Sequence, residues 1–131
     1  MHTQARHLLV EYRGCELSKL QDLDFIQALL ERAARAAGAT VVQSVFHRYS
    51  PQGVTGVVVL EESHLSIHTW PESGYAAADL YTCGACTPDA AHEVLKEALQ
   101  AQSWELMHVQ RGLDGPRGMQ VQDHQRGSEP S

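Results

Sequence analysis

Between Val54 and Thr82 three runs of β-forming residues, Val54–Leu60, His64–Trp70 and Tyr75–Thr82, follow one another with only short turns between them. Turns this short join strands as antiparallel neighbours, because a parallel connection needs a crossover of a dozen or more residues. In the middle run His64, Ser66, His68 and Trp70 share one face while Leu65, Ile67 and Thr69 take the other, since side chains alternate along a strand. Two histidines therefore point the same way, opposite an apolar face that needs cover.

The rest of the chain supplies that cover. Ile26, Leu29, Leu30, Ala33, Ala34 and Ala37 recur at helical spacing, with Asp22 as N-cap and Gly38 just past the end. Thr87-Pro88 reads as an N-cap followed by proline at the first helical position, and Ala91, Val94, Leu95, Ala98 and Leu99 share one face after it. His7–Tyr12, Val41–Tyr49 and Trp104–Val109 are further short β-prone runs, and Ser50-Pro51-Gln52-Gly53 is a turn. Gly56, inside a strand, marks a place where another backbone or a ligand comes close. The order β-α-β-β-β-β-α-β predicts an α/β (α+β) fold: a two-layer sandwich of a mainly antiparallel sheet with two helices on one face. Val57-Val58-Val59 is apolar at successive positions, which predicts cover on both faces and hence oligomerisation.

A chain of 131 residues, 43% hydrophobic, accommodates one domain. Its 10 Lys+Arg against 16 Asp+Glu, net charge -6, argue against a partner with a phosphate backbone, so no nucleic acid is expected. No apolar run approaches the roughly 18 residues of a membrane span, and Met1–Arg6 lacks the apolar core of a signal peptide. A cytoplasmic protein without membrane association is the expectation, and Cys15, Cys83 and Cys86 are not expected to form a disulfide framework. Residues 113–131 are polar, rich in Gly, Gln and Pro and aperiodic, which predicts a flexible tail.

Glu61, Glu62, Ser63, His64, His68, Glu72 and Cys83 lie close together in a segment that otherwise reads as sheet interior. Cys83-Gly84-Ala85-Cys86 stands between a strand and a helix, as dithiol redox motifs do, although Pro88 starts the helix after Cys86 rather than at it. A metal site is disfavoured: His64 and His68 are about 13 Å apart along a strand, too far to share one ion, and no metal ligands are assigned. Singly, a serine at a strand end, a histidine on a strand face or a cysteine has an ordinary structural role; convergent groups are what make a site.

Glu62-Ser63-His64-Leu65-Ser66-Ile67-His68-Thr69-Trp70-Pro71-Glu72, followed by Gly74-Tyr75-Ala76-Ala77 and Thr82-Cys83-Gly84, resembles the prokaryotic S-adenosylmethionine decarboxylase proenzymes, the small pyruvoyl-dependent type. The resemblance extends to Phe46–Pro51, Gly53–Gly56 and His7–Glu11 and covers roughly residues 6 to 112. It implies self-cleavage of one domain, residues 1–112, between Glu62 and Ser63, giving chains 1–62 and 63–131. Ser63 is implied to attack the Glu62 carbonyl, and His68 to act as the base for β-elimination of the resulting ester. The pyruvoyl group left in place of Ser63 would form a Schiff base with the substrate amine and accept the electrons released with CO2. Cys83 is implied as proton donor; a free thiol, with a reference pKa of about 8.5, is mostly protonated at neutral pH.

The resemblance further implies Tyr49 and Glu72, with His68, as substrate contacts and Thr55 as a helper in processing. Its implied product is decarboxylated S-adenosylmethionine for spermidine biosynthesis, and its implied assembly a homodimer of processed protomers, each holding its own cleaved fragment. The chain departs from the family pattern at Tyr49 (usually phenylalanine), Thr55 (serine), Glu61 (a small residue), Arg13 and Ser73 (aromatics), and Cys86 is unfamiliar. The Glu61 carboxylate could pair a guanidinium or ammonium, so L-arginine or L-ornithine stands as the alternative substrate.

Overall fold

The α2 helix, Leu23–Ala36, begins where the Asp22 carboxylate accepts a hydrogen bond from the Phe25 amide at 3.1 Å and ends at Gly38, whose φ of +83° suits a residue without a side chain. Its stripe of Ile26, Leu29, Leu30, Ala33 and Ala34 is buried, and the alanines let it lie close on the sheet. The α3 helix, Pro88–Ala98, has Pro88 at its first position as expected. Thr87 occupies the N-cap position, but its side chain makes no capping bond; its amide donates instead to the Ala37 carbonyl at 2.9 Å, fastening the start of α3 to the end of α2.

In this computed structural model, which describes residues 4–113 and 118–130, the remaining elements are β1 (Ala5–Arg13), a short helix α1 (Leu17–Leu20), β2 (Val41–Arg48), β3 (Val54–Leu60), β4 (Ser63–Trp70), β5 (Tyr75–Cys83), β6 (Ser103–Arg111) and β7 (Gln120–Ser128). They form one antiparallel sheet in the order β2-β3-β4-β5-β1-β6-β7. The α2 helix lies over β2, β3 and β4 and α3 over β1 and β5, on the same face. This is the expected α+β sandwich, with Leu8, Val10, Tyr12, Val58, Leu65, Ile67, Ala78 and Leu80 of the sheet packed under the helices. His7, Leu9, Glu11, Val57, Val59, His64, His68, Trp70 and Asp79 face the other way, where no helix covers them. None of the described helices is long and apolar enough to cross a membrane.

At Gly56 the close neighbour is neither backbone nor ligand. A Cβ there would meet the Phe46 ring at 1.9 Å, because Phe46 stands opposite Gly56 in the β2–β3 ladder and lays its ring into the space the glycine leaves.

Where the sequence predicts a flexible tail at 113–131, Gln120–Ser128 forms the edge strand β7, paired with Ser103–Gln110 of β6; residues 114–117 and 131 of that tail lie outside the described residues. The strand has no periodic signal because most of its side chains are exposed. Backbone pairing and cross-strand charges hold it: His124 and Arg126 meet Glu105, and the His108 ring bridges Asp89 at 2.7 Å and Asp123 at 2.5 Å. Partial burial pulls the His108 pKa down, but its hydrogen bonds to Asp89 and Asp123 and their charges outweigh this and raise it above the ordinary 6.5. A raised folded-state pKa gives stabilisation that is complete below the unfolded value and lost as pH rises through the folded one. The Tm advantage of the native chain over His108→Gln is therefore expected to be largest below about pH 6 and to shrink toward alkaline pH, as thermal unfolding across a pH series would register.

Candidate active site

Two residues, Glu61 and Glu62, join β3 to β4, with Leu60 and Ser63 as the closing pair. The turn is tied to the end of α2 at both residues: the Glu61 amide donates to the Thr40 carbonyl at 3.0 Å, and the Glu62 carboxylate accepts from the Thr40 amide at 2.9 Å. Because the turn begins at Glu61, strand alternation does not carry back to it, and Glu61 is exposed. Ser63 follows with φ +136°, a conformation costing a residue with a Cβ about 1–3 kcal/mol. The strain lies at the peptide the family resemblance marks for cleavage.

The carbonyl of that peptide has two donors. Glu62 O accepts from the Cys83 amide at 3.1 Å and from the Cys83 thiol at 3.2 Å. Donors on a carbonyl oxygen polarise it and stabilise the charge that develops there under nucleophilic attack. Ser63 Oγ lies 3.5 Å from His64 Nδ1, a long contact. Burial, and after it the nearby His7, lowers the His64 pKa, Asp79 acting in opposition. Cys83 and Thr82 line a cavity of about 520 Å³ together with Arg6 and Gln110.

Cys86 is buried, and burial first, then Glu62 and Cys83, pushes its thiol pKa up. This is the reverse of what a dithiol redox site requires, and all three cysteines are free thiols. Among the described residues no three His, Cys, Asp or Glu side chains gather as metal ligands would.

A second group gathers toward the far end of β4. Thr55 Oγ1 lies 2.9 Å from His68 Nδ1, its partner across the β3–β4 ladder. Both line a cavity of about 390 Å³ with Tyr49, Thr69, Trp70 and Glu72. Gln52 donates to the Glu72 carboxylate at 3.1 Å, and the half-exposed Trp70 stacks on Tyr75 at 5.1 Å, itself held by the Arg13 guanidinium over its ring and by a 2.8 Å bond to Glu11. Trp70 lies within the motif and on the same strand face as His68, and that alternation is the sequence signal that marks it.

The structure thus brings Glu62, Ser63 and Cys83 together, and Tyr49, Thr55, His68 and Glu72 together, but does not join the two groups. Ser63 and His68 are five residues apart on one strand, roughly 16 Å, with opposite parity.

A strained serine after a carbonyl with two donors thus sits at a turn of an antiparallel sheet backed by two helices. Residues 6–112 match the family model for S-adenosylmethionine decarboxylase. The chain is 46% identical over 116 residues to the S-adenosylmethionine decarboxylase proenzyme of Bacillus velezensis, covering 88% of this chain and 91% of that one. It is 48% identical over 113 residues to the proenzyme of the same name from Thermotoga petrophila, covering 86% and 87%. The crystal structure of the adenosylmethionine decarboxylase from Aquifex aeolicus superposes with a TM-score of 0.77 at 35% identity, covering 88% of this chain and 96% of that one. A Trypanosoma brucei AdoMetDC monomer shares the fold at TM-score 0.58 and 15% identity; the match covers 83% of this chain and 47% of that longer one. The chain belongs to the S-adenosylmethionine decarboxylase family.

The floor of the second cavity rests on Thr69, whose buried Oγ1 accepts from the Val54 amide at 2.9 Å and donates to the Leu20 carbonyl at 2.8 Å. Thr69→Val strands both groups and is expected to cost about 1–3 kcal/mol, measurable as a lower denaturant midpoint.

Proposed function

We propose that the chain is a proenzyme that cuts itself between Glu62 and Ser63 and then decarboxylates S-adenosylmethionine. The observation that carries this reading is the Glu62 carbonyl held by both Cys83 donors beside a serine at φ +136°. Relatives at 46–48% identity bearing the S-adenosylmethionine decarboxylase name support this substrate and lend nothing to arginine or ornithine. Glu61, on whose carboxylate that alternative leaned, is exposed in the turn and lines neither cavity.

In the proposed cut, Ser63 Oγ bonds to the Glu62 carbonyl carbon, the C–N bond breaks, and the Oγ proton passes to the freed Ser63 nitrogen, leaving an ester. Strain released at Ser63 and the two donors on the oxygen offset the cost of exchanging an amide for an ester. His68, oriented by Thr55, takes the Ser63 α-proton, the Cβ–Oγ bond breaks and Glu62 leaves as a carboxylate; the dehydroalanine left at position 63 tautomerises to an imine, which water hydrolyses to a pyruvoyl ketone with release of ammonia. The products are chains 1–62 and 63–131. A pyruvoyl group at position 63 supplies an electron sink for the bond that releases CO2. Cys83 stands beside residue 63 as proton donor, while Tyr49 and the Gln52-held Glu72, grouped with His68 at the far end of β4, would offer an aromatic face and a carboxylate for the nucleoside portion and sulfonium of a substrate bound at the partner copy's residue 63. The reading places the enzyme in the cytoplasm, with thiols kept reduced.

Because His68 lies roughly 16 Å from Ser63 in one chain, the proposal includes a homodimer in which the uncovered sheet faces meet and one copy's His68 reaches the other's Ser63. Leu9, Val45, Val59 and Trp70, each exposed by more than a third on that face, support it.

Purified protein is expected to run as two fragments on a denaturing gel, with Ser63→Ala left whole; the processed enzyme is expected to release CO2 from S-adenosylmethionine and not from arginine or ornithine. Persistence of intact wild-type chain would count against the proposal. For the dimer, a tagged His68→Ala chain should stay whole by itself and be cut when co-expressed with Ser63→Ala, since the mixed dimer holds one complete site. Cutting of His68→Ala without help would refute the shared site.

A further inference from the structure

Thr82 Oγ1 is buried and has no hydrogen-bond partner, the single such side-chain atom among the described residues. The residue is 1% exposed. Burying a hydroxyl without a partner is unfavourable, and such a group in a native fold calls for an explanation. Thr69, also buried in the same sheet, is satisfied on both sides.

The position of Thr82 suggests the explanation, for it stands directly opposite Ser63 in the β4–β5 ladder. The bond from the Cys83 amide to Glu62 O fixes the kind of pairing: it joins the residue after Thr82 to the residue before Ser63, so Ser63 and Thr82 are a non-hydrogen-bonded pair. In such pairs side chains are closest, with Cβ atoms about 5 Å apart. Rotation of Ser63 about its Cα–Cβ bond can carry Oγ away from its long 3.5 Å contact with His64 toward Thr82 Oγ1. Thr82 also lines a cavity together with Cys83, whose amide and thiol hold the Glu62 carbonyl.

We infer that Thr82 is a positioning residue for self-cleavage: its Oγ1 accepts a hydrogen bond from the Ser63 hydroxyl and so directs a lone pair of Ser63 Oγ at the Glu62 carbonyl carbon. The inference rests on the cut proposed above and adds no reactant to it. The Oγ–C bond forms, the C–N bond breaks, the Oγ proton goes to the Ser63 nitrogen, and Thr82 ends with the proton it began with. Its hydroxyl is unpartnered in the uncut resting conformer because its partner is the attacking rotamer of Ser63.

Thr82→Val keeps the shape and removes the hydroxyl; Thr82→Ser keeps the hydroxyl. In a time course of full-length chain followed on denaturing gels, Thr82→Val is expected to form the two fragments at least about tenfold more slowly than wild type, Thr82→Ala likewise, and Thr82→Ser within a few-fold of it. With Ser63→Ala added to keep every chain whole, Thr82→Val should melt at the same temperature as Ser63→Ala alone or higher, unlike a change that breaks an existing bond. Hydroxylamine, which cleaves esters and not amides, should leave Thr82→Val slow, because the deficit precedes the ester. Wild-type cleavage rate in Thr82→Val, a Tm lowered by several degrees in the uncut background, or full rescue by hydroxylamine would each overturn the inference. If wild type itself stays whole, it is the cut at Glu62-Ser63 that fails, and the wild-type lane shows this separately.

Discussion

The register of β4 against β5 is the constraint from which the rest of the site follows. Leu65 faces Leu80 and Ile67 faces Ala78, all four buried under the helices. A slip of one residue would turn each of them to the uncovered face and bring His64, Ser66 and His68 inward, so the apolar pattern holds the register firmly. Counting outward from those buried pairs, the same register sets Ser63 opposite Thr82 and lets both Cys83 donors reach the Glu62 carbonyl. Placement of Ser63, Thr82 and Cys83 is thus a by-product of hydrophobic burial several residues away. The link from the turn to Thr40 fixes the remaining freedom, because Glu61 and Glu62 are anchored to the end of α2.

The uncovered face combines apolar side chains with charges that already have partners. His7 bonds Asp79 at 3.0 Å, Ser66 donates to the other Asp79 oxygen at 3.0 Å, and Tyr81 lies between the rings of His7 and His64 with the Arg111 guanidinium over it. The bond from His7, more than compensating for partial burial, and that from Ser66 hold the Asp79 carboxyl below its ordinary pKa. Charges satisfied within the chain lose less when water leaves the surface than isolated ones do. A face built this way tolerates being covered, as the proposed dimer requires.

Much of this was legible in the chain. Period-two alternation in β4 told which residues face the helices, and the spacing of Ile26 to Ala37 and the cap at Asp22 gave α2 nearly to the residue. Ser63, Cys83 and His68 stood out through the motif. Thr82 did not, since nothing about a threonine in a strand signals that its hydroxyl lacks a partner; only a full count of buried hydrogen bonds finds it. Strand β7 was missed because pattern reading detects a buried face, and an exposed edge strand such as Gln120–Ser128 has none. The partner of Gly56 was misread for a related reason: a strand glycine announces close approach, and the approaching group, the Phe46 ring, comes from another strand.

In the sequence by itself, residue type and local spacing set the kind of element wherever one face is buried, and which face that is, as they did for β4 and α2 but not for the exposed β7. Tertiary structure alone decided that Cys83 clasps the Glu62 carbonyl, that Thr82 stands across from Ser63, and that His68 is paired with Thr55 while lying a strand's length from the serine it is proposed to serve. Those are distances between residues remote in the chain or at opposite ends of a strand. They are set by ladder register and strand rise, which become definite only once the sheet has assembled against its helices.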